Sequence, residues 1–398
     1  MLPRAIQRIQ RVATRPIQRV TYFLVAVVWL PQHHPDYIIS RSLFGICFSE
    51  NEGVTIKQLV ARSASQLEQD HIDHAIWVRE QEVVRLAHRL NNWLELPYVV
   101  FTNNRFHEVF RLFQNAFQTL ADQGEITNMK DVEEFAEVLR GAYSDHSEVI
   151  NYLQEGYGEL QALLDNIDLE AFLDQTFKTR IGNRVLAEHF LALHDARMSG
   201  QQGCTGVVHP ECCPAEMVKE LAESLGNVCY DVYGARPRIV LEGQLETRIS
   251  FIYDHLHFML QEILKNAMRA TVETHLDDVF NGLPPVTVEI MKGSFDVTLK
   301  ISDRGGGIRA DDLKHIWRYG YTSAGDYSAH GGGLLSGAIG GPVGVSRRAI
   351  AGYGFGLPLS LCYAQYFGGD IIIQSMHGYG SDVYLNVNHL GDTHEARE

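Results

Sequence analysis

The sequence contains no apolar run of membrane-spanning length and no excess of positive charge. Its leading apolar run, Tyr22 to Leu30, covers nine residues, whereas a transmembrane helix needs about 20, so we predict no transmembrane span. The formal net charge of −15 argues against a nucleic-acid partner, because such a protein needs a basic face to neutralise phosphates. Hydrophobic residues at 45% and charged residues at 21% of 398 positions indicate a globular chain long enough for two domains.

Cysteines are few, and their spacing does not suit a disulfide framework. The six are Cys47, Cys204, Cys212, Cys213, Cys229 and Cys362. A secreted scaffold would have them dense and evenly spaced. His209 lies among three of them, but no second Cys-x-x-Cys pair follows, as a common zinc site would require. We therefore predict that residues 204–214 form a loop with free thiols.

Acidic residues are absent before Asp36. Within the same stretch arginines recur every three or four positions, at Arg4, Arg8, Arg11, Arg15 and Arg19. On a helix this spacing makes a basic stripe, and an arginine-rich, acid-free, amphipathic leader is typical of a mitochondrial transit peptide. We predict that residues 1–35 are such a peptide and that the mature protein lies in the mitochondrial matrix. A disordered basic tail is the alternative.

The first half of the chain has helical periodicity. Between about Ile56 and His194, apolar residues recur at spacings of three and four positions. Turn signals interrupt this pattern at Leu96-Pro97 and at residues 122–124. Several long amphipathic helices with short connections indicate a helical bundle, which we place at residues 50–205.

After Cys213-Pro214 the pattern changes to short strands and single helices. A strong helix over Asp254–Val272 precedes two adjacent strand candidates, and two further strands joined by a tight turn come near the end of the chain. Strands joined by tight turns beside separate helices predict a mixed α/β sandwich, here over residues 214–390. The glycine-rich stretch Gly305–Gly356 is too long for a simple connection and is predicted to carry a lid or a binding loop.

The helix Asp254–Val272 carries the first candidate site residues. Glu262 and Asn266 are four apart and therefore share one helix face. Together they offer a carboxylate for general-base chemistry and an amide oxygen for a hard cation. Lys265 and Arg269 flank that face and are predicted to balance phosphate charge. By itself, such a set of residues is more often a solvated helix face.

Two glycine clusters follow this helix. Asp303 ends a predicted strand and precedes Gly305–Gly307, so a planar ligand could approach the backbone closely and donate an amine hydrogen to the carboxylate. Alternating glycines from Gly352 to Gly356 open a helix and expose backbone N–H groups to an anion. No Gly-Lys-Ser/Thr follows them and no strand precedes them, so neither the Walker pattern nor the dinucleotide fingerprint applies.

The order of these features resembles that of the GHKL ATPases. In that superfamily an Asn-bearing helix is followed by Asp-x-Gly-x-Gly, by Gly-x-Gly-x-Gly and by a Gly-Thr/Ser pair near the last strand, here Gly380-Ser381. Several stretches further resemble the mitochondrial 2-oxoacid dehydrogenase kinases, namely Leu264–Thr271, Ser302–Gly307, Gly354–Pro358, Arg180–Gly182 and His189–His194. The likeness covers about residues 80 to 390. It implies an N-terminal four-helix bundle followed by a Bergerat-type α/β sandwich ATPase domain.

The resemblance also implies a role for each candidate residue. Glu262 would be the general base that takes the proton from a substrate serine, Asn266 would hold Mg²⁺, and Asp303 would bind the adenine amine. Six residues would line the phosphates beneath a lid at about Tyr319–Ala351: Gly352, Tyr353, Gly354, Phe355, Gly356 and Leu357. The other implied nucleotide contacts are Arg269, Gly305, Gly307, Thr322, Ser323 and Ser381. The implied cofactors are ATP and Mg²⁺, with a structural K⁺ as a further candidate.

The same resemblance implies a protein-serine kinase that inactivates a 2-oxoacid dehydrogenase complex. Its implied partners are the decarboxylating subunit as substrate, the lipoyl domain of the acyltransferase core as anchor, and a second copy of the chain in a homodimer. Three features favour the branched-chain complex over the pyruvate complex as substrate. These are the short stretch after the last strand, Phe258 one turn before Glu262, and the segment Phe190–His194.

Two other classes of function stay open at this point. A protein-histidine kinase uses the same ATPase half, and His189 and His194 on a predicted helix are candidate phosphoacceptors. Acid-labile phosphate on the protein itself would indicate that class. A non-catalytic scaffold would bind ATP and a lipoyl-bearing core without transferring phosphate, although the presence of Glu262 argues against it.

Overall fold

The computed structural model describes residues 53–63, 65, 67–163, 168–277, 282–322 and 354–396. The predicted transit peptide lies outside these residues, as does most of the predicted lid. Two compact units divide the chain. The described residues 67–146 belong to the first unit, and all other described residues belong to the second.

Apart from a few short elements, the helices and strands follow one another in the order that the sequence periodicity predicts. The helices are α1 (Ile56–Ser63), α2 (Glu68–Leu94), α3 (Tyr98–Phe101), α4 (Asn104–Asp122), α5 (Met129–Ser144), α6 (Val149–Leu163), α7 (Glu170–Met198), α8 (Pro214–Tyr233), α9 (Tyr253–Thr274), α10 (Ala310–Leu313) and α11 (Gly356–Tyr366). The strands are β1 (Val208–Cys212), β2 (Ile239–Gly243), β3 (Ile249–Ile252), β4 (Val286–Lys292), β5 (Asp296–Ser302), β6 (Asp370–Met376) and β7 (Gly380–Asn388).

The first unit is helical, and its helices break where the turn signals predict. Helix α2 ends just before Leu96-Pro97, and α4 ends at Asp122. The side chain of Asn103 caps α4 by accepting hydrogen bonds from the backbone N–H groups of the second and third residues after it. The indole of Trp93 is fully buried, and three phenylalanine rings of α4 lie about it: Phe106, Phe110 and Phe113.

The second unit contains a five-stranded mixed sheet in the order β2-β4-β5-β7-β6. Strand β2 is parallel to β4, and the other neighbouring pairs are antiparallel. Residues of β4 alternate between buried and half-buried, as a sheet with one covered face requires. Helices α9 and α11 pack on the sheet, and α8 and α7 pack on α9 and α11 respectively. The predicted α/β sandwich is confirmed.

The predicted loop over residues 204–214 is partly wrong. Its middle forms strand β1, which pairs antiparallel with β3. The sequence analysis missed this pair because both strands are short and β1 contains a proline. The cysteines in this region are free thiols, and burial raises the pKa of Cys212 to about 11. Among the residues that the structure describes, no three His, Cys, Asp or Glu side chains are grouped to hold a metal ion.

The predicted domain boundaries at residues 50–205 and 214–390 stay a prediction. In the structure, α1, α6 and α7 belong to the same compact unit as the sheet, and the described helices α2 to α5 belong to the other unit. Thus α7, which the sequence analysis assigned to the helical domain, contributes side chains to the surroundings of the candidate site. No helix in the described part of the chain has the length and apolarity needed to cross a membrane.

Candidate active site

A cavity of about 280 Å³ opens beside α9 in the second unit. Segments that lie far apart in sequence form its walls: α9, the loop after β5, the residues just before the predicted lid, the start of α11, and β6 with β7. The predicted site residues that line it are Glu262, Asn266, Arg269, Asp303, Gly305, Gly307, Thr322, Gly354, Gly356, Leu357 and Ser381. The fold therefore brings most of the candidate residues to a single cavity.

Glu262 lies on the cavity wall yet is almost fully buried. Its two carboxylate oxygens each lie 2.6 Å from the Nζ atom of Lys265, one helical turn further along α9. Gly356, the first residue of α11, presses against the same carboxylate, and a Cβ atom at that position would overlap it. A buried carboxylate needs such compensation, because an unpaired charge away from water is strongly destabilising.

Asn266 and Arg269 continue the same wall of the cavity. The Nε atom of Arg269 lies 3.8 Å from the carboxylate of Glu273, and it is buried without a hydrogen-bond acceptor among the described residues. Glu273 also accepts a hydrogen bond of 2.7 Å from the hydroxyl of Tyr233. The positive charge of the Arg269 guanidinium is therefore held on the cavity wall, where it could bind an anion.

Asp303 lies where β5 ends. One of its carboxylate oxygens accepts a hydrogen bond of 2.7 Å from the backbone N–H of Gly305. Burial raises the pKa of the Asp303 carboxyl, an effect that backbone N–H donors from Gly305 and Ser381 oppose. The carboxylate is thus a partly desolvated acceptor aimed at a cavity, which suits recognition of a neutral amine donor.

The glycines after Asp303 are required by the protein's own packing. A Cβ atom at Gly305 would overlap the backbone of α9 at Ala270, and one at Gly307 would overlap the carbonyl of Met376. Gly307 also has a positive φ of 66°, a conformation that favours glycine. Because glycine has no side chain, the loop can lie directly on α9 and on the turn between β6 and β7.

Ser381 connects this loop to the last two strands. Its hydroxyl lies 2.8 Å from the hydroxyl of Ser375 on β6. The Ser375 hydroxyl in turn accepts a hydrogen bond of 2.7 Å from the backbone N–H of Ile308. The hydroxyl at position 381 is therefore placed on the cavity wall by a short hydrogen-bonded chain.

The structure does not place every candidate residue at the cavity. The ring of Phe355 is not part of the lining. It is buried among Tyr157, Phe177 and Tyr319. Ser323, Gly352 and Tyr353 lie outside the described residues. Lys265, which we expected to balance phosphate charge, instead binds Glu262.

The structure also adds cavity residues that the sequence analysis did not identify. Polar additions are Glu273, Thr274 and Tyr321, and apolar ones include Ile316, Ile373 and Val383. The last two sit on β6 and β7, whose alternating pattern could have indicated them. Ile316 and Tyr321 carry no sequence signal that we recognise.

The two histidines considered as phosphoacceptors are buried. His189 has no exposed surface and His194 is 3% exposed. Burial lowers the pKa of His189 to about 4, so its imidazole is neutral at physiological pH. A phosphoacceptor must reach the terminal phosphate of a nucleotide, and neither ring is accessible for that.

Comparison with known proteins adds two family matches. Residues 53–209 match a family described as mitochondrial branched-chain alpha-ketoacid dehydrogenase kinase. Residues 252–390 match the family of histidine kinase-, DNA gyrase B- and HSP90-like ATPases. The second match begins just before α9 and contains every described residue of the cavity.

Individual relatives are similar over most of the chain. A mitochondrial pyruvate dehydrogenase (acetyl-transferring) kinase of Arabidopsis thaliana is 30% identical over 86% of this chain and 92% of its own length. The corresponding kinase of Drosophila melanogaster is 28% identical over 81% of this chain and 78% of its own. That of Schizosaccharomyces pombe is 33% identical over 66% of this chain and 60% of its own.

Proposed function

This chain belongs to the mitochondrial 2-oxoacid dehydrogenase kinase family, and on that premise we propose that it phosphorylates a serine of the decarboxylating subunit of such a complex and inactivates it. Membership makes the chain an ATP-dependent protein kinase of the mitochondrial matrix. The observation that supports serine phosphorylation is the position of the Glu262 carboxylate, which lies against the first residue of α11 on the wall of the cavity.

In the proposed reaction, the γ-phosphoryl group of ATP passes to the serine oxygen, and the serine proton passes to Glu262. Phosphoryl transfer depends mainly on positioning and on neutralisation of charge. Lys265 holds the Glu262 carboxylate in place until the serine hydroxyl approaches. Gly356 allows that carboxylate to lie at the start of α11, where backbone N–H groups face the phosphates.

Other residues of the cavity would hold the nucleotide. Asp303 would accept a hydrogen bond from the adenine amine, and Arg269, which lines the cavity, would bind a phosphate through its guanidinium. The remaining proposed contacts are Gly305, Gly307, Thr322, Ser323, Gly352, Tyr353, Gly354, Phe355, Leu357 and Ser381, with Phe355 acting through its backbone alone.

The described residues fit a magnesium nucleotide. Asn266 lines the cavity one turn after Glu262, and its amide oxygen is the ligand that we propose for Mg²⁺. When bound, the ion would neutralise charge on the phosphates. The guanidinium of Arg269 and the amide of Asn266 on the cavity wall support this fit, because they offer partners for an anionic nucleotide and for a hard cation respectively. The K⁺ implied by the resemblance stays a prediction.

For the substrate, we propose the pyruvate dehydrogenase complex first. The relatives reported above are named as kinases of pyruvate dehydrogenase, and they do not support our expectation of a branched-chain preference. The branched-chain complex is the second candidate, because the family matched by residues 53–209 carries that name and Phe258 precedes Glu262 by one turn. Anchoring to a lipoyl domain and assembly as a homodimer are part of the same proposal.

The test of this proposal is direct phosphorylation of both complexes. The mature protein is incubated with labelled ATP, Mg²⁺ and either purified complex, and the phosphorylated residue is identified by mass spectrometry. We expect phosphoserine on the decarboxylating subunit, with faster transfer to the pyruvate complex. Faster transfer to the branched-chain complex would reverse the order of the two candidates. Acid-labile phosphate on the kinase itself, or ATP binding without any transfer, would contradict the proposal in favour of a histidine kinase or a scaffold.

A further inference from the structure

Two short stretches of chain make one wall of the cavity: Gly320–Thr322, and Gly354–Leu357. We call them together the phosphate-side wall. The backbone N–H of Gly320 donates a hydrogen bond of 3.2 Å to the carbonyl of Gly354. Both glycines have a φ of 75°, which favours glycine. The two stretches are therefore joined to each other at a point that tolerates no side chain.

A pair of buried aromatic rings holds both stretches of the phosphate-side wall. Tyr319 directly precedes one stretch, and Phe355 lies within the other. Their ring centroids are 5.0 Å apart, and the residues are 2% and 1% exposed. Phe177 of α7 lies 5.4 Å from the Tyr319 ring, and Tyr157 of α6 lies 5.8 Å from the Phe355 ring. The position of this wall thus depends on side chains of α6 and α7.

A hydrogen bond fixes the Tyr319 ring within this aromatic cluster. Its hydroxyl donates to a carboxylate oxygen of Asp174 on α7 at 2.6 Å. The Sγ atom of Cys362 lies 3.3 Å from the same hydroxyl and 3.6 Å from the same carboxylate oxygen. Burial, reinforced by Cys362 and Asp174, raises the pKa of Tyr319 far above its usual range, so the hydroxyl remains a donor.

The adenine side of the cavity has a separate support. The backbone N–H of Asp303 donates to the carbonyl of Ser381 at 2.9 Å, and Gly305 lies against α9. Neither contact involves Tyr319 or Asp174. A change in the Tyr319 cluster can therefore displace the phosphate-side wall while the adenine contacts keep their geometry.

From this arrangement we propose that Asp174 and Tyr319 form a positioning pair for the phosphates of ATP. The pair contacts neither substrate nor nucleotide. It holds the phosphate-side wall, and with it Gly356 and the adjoining Glu262 carboxylate, at the place where transfer occurs. The proposal rests on the proposed function, since it assigns the phosphates to this side of the cavity.

The experiment compares Tyr319→Phe and Asp174→Asn with the control Tyr157→Phe. All three changes leave the size of the aromatic or acidic side chain nearly unchanged, and the control removes a hydroxyl from the same cluster that does not bind Asp174. For each full-length variant, kcat and the KM for ATP are measured with the dehydrogenase complex. Affinities for ATP and for adenosine are measured by calorimetry or by ligand-observed NMR.

We expect Tyr319→Phe and Asp174→Asn to weaken ATP affinity about tenfold, as for loss of one hydrogen bond to a charged group. Adenosine affinity should stay unchanged, and Tyr157→Phe should behave as the unmodified chain. The double variant should be no weaker than either single one, because both act through one bond. Equal losses of ATP and adenosine affinity would overturn the proposal in favour of a structural role, and unchanged ATP affinity in both single variants would also overturn it.

These affinities separate failure of this proposal from failure of the proposed function. If the unmodified protein bound ATP but phosphorylated neither complex, the proposed function would be wrong. The ratio of ATP to adenosine affinity would still test the positioning pair. If Tyr319→Phe does not fold, Asp174→Asn provides the same test, since Asp174 is only half-buried.

Discussion

The two sides of the proposed nucleotide cavity, which we name after the adenine and the phosphates that they are proposed to contact, are built differently. On the adenine side, the loop Asp303–Gly307 lies against α9 and the β6–β7 turn, and its glycines are required by backbone contacts. On the phosphate side, Gly356 meets the end of a flexible side chain, Glu262, and the supporting cluster consists of side chains from α6 and α7. The adenine side therefore relies mainly on backbone contacts, whereas the phosphate side combines the backbone hydrogen bond from Gly320 to Gly354 with a cluster of side chains.

Because of this difference, substitutions on the two sides should affect stability and activity differently. A substitution that collides with backbone cannot be relieved without moving an element, so it lowers the free energy of unfolding. A substitution that collides with the end of a side chain can be relieved by a new rotamer at small cost. On the phosphate side that relief would displace a reacting group. We therefore expect changes on the adenine side to reduce stability and changes on the phosphate side to reduce turnover.

The largest expected effect is that of Glu262→Gln. The amide keeps the shape of the carboxylate but cannot accept the serine proton, so kcat should fall by about 10² to 10⁴, the range for loss of a general base. Affinity for ATP, measured by calorimetry, should change little. Unchanged kcat in this variant would remove Glu262 from the role of base.

Gly356→Ala should come next, with a loss of kcat of about 10², because the new Cβ displaces the Glu262 carboxylate. The position is helical, so the melting temperature should change little. Gly141→Ala on α5 is the matched control, since a Cβ there meets no neighbour. Combining Gly356→Ala with Glu262→Gln should give no further loss. A multiplicative loss would show that the two changes act independently.

Gly305→Ala should mainly reduce stability, in contrast to Gly356→Ala, which should mainly reduce kcat. The added Cβ would collide with the backbone of α9 at Ala270 and Thr271. We expect the free energy of unfolding to fall by about 1–3 kcal/mol, as for overpacking of a well-packed interior, with ATP affinity weakened as a consequence. Chemical denaturation checks this value. A variant as stable as the unmodified chain would contradict the distinction between the two sides.

Much of this site could be predicted from the sequence because helical spacing and glycine patterns are local signals. Glu262 and Asn266 share a helix face at any i, i+4 spacing, and Asp303 followed by glycines marks a strand end. These residues do line the cavity. The α/β sandwich followed equally from local alternation and turns.

What could not be predicted depends on burial or on distant contacts. Lys265 lies three residues after Glu262, a spacing at which the two side chains can pair or can both face a ligand. Only packing decides that it binds Glu262. Likewise, Phe355 lies within a glycine motif that predicts a ligand contact, but its ring is taken up by Phe177 and Tyr157 from remote helices.

A smaller effect is expected from the titration of Asp303. Because burial raises its pKa, the folded protein holds this proton to a higher pH than the unfolded chain does. This group's contribution to stability is therefore present below the unfolded-state pKa and lost as pH rises through the folded-state pKa. ATP affinity should change in the opposite sense, since in the proposed function the ionised carboxylate accepts a hydrogen bond from the adenine amine. Calorimetry at a series of pH values should show both trends in the unmodified chain and neither in Asp303→Asn.

The smallest effect should be that of Ser381→Ala. This variant tests the hydrogen bonds that hold the adenine side in place. The change removes a side-chain hydrogen bond to Ser375, worth about 1 kcal/mol, while Ser375 keeps the backbone N–H of Ile308. The KM for ATP should therefore rise about fivefold with kcat unchanged. Ser199→Ala is the control, because that hydroxyl bonds only the carbonyls of its own helix end. A fall in kcat at constant KM would mean that Ser381 acts on the transferred phosphate, and the adenine side would then not be separable from the phosphate side.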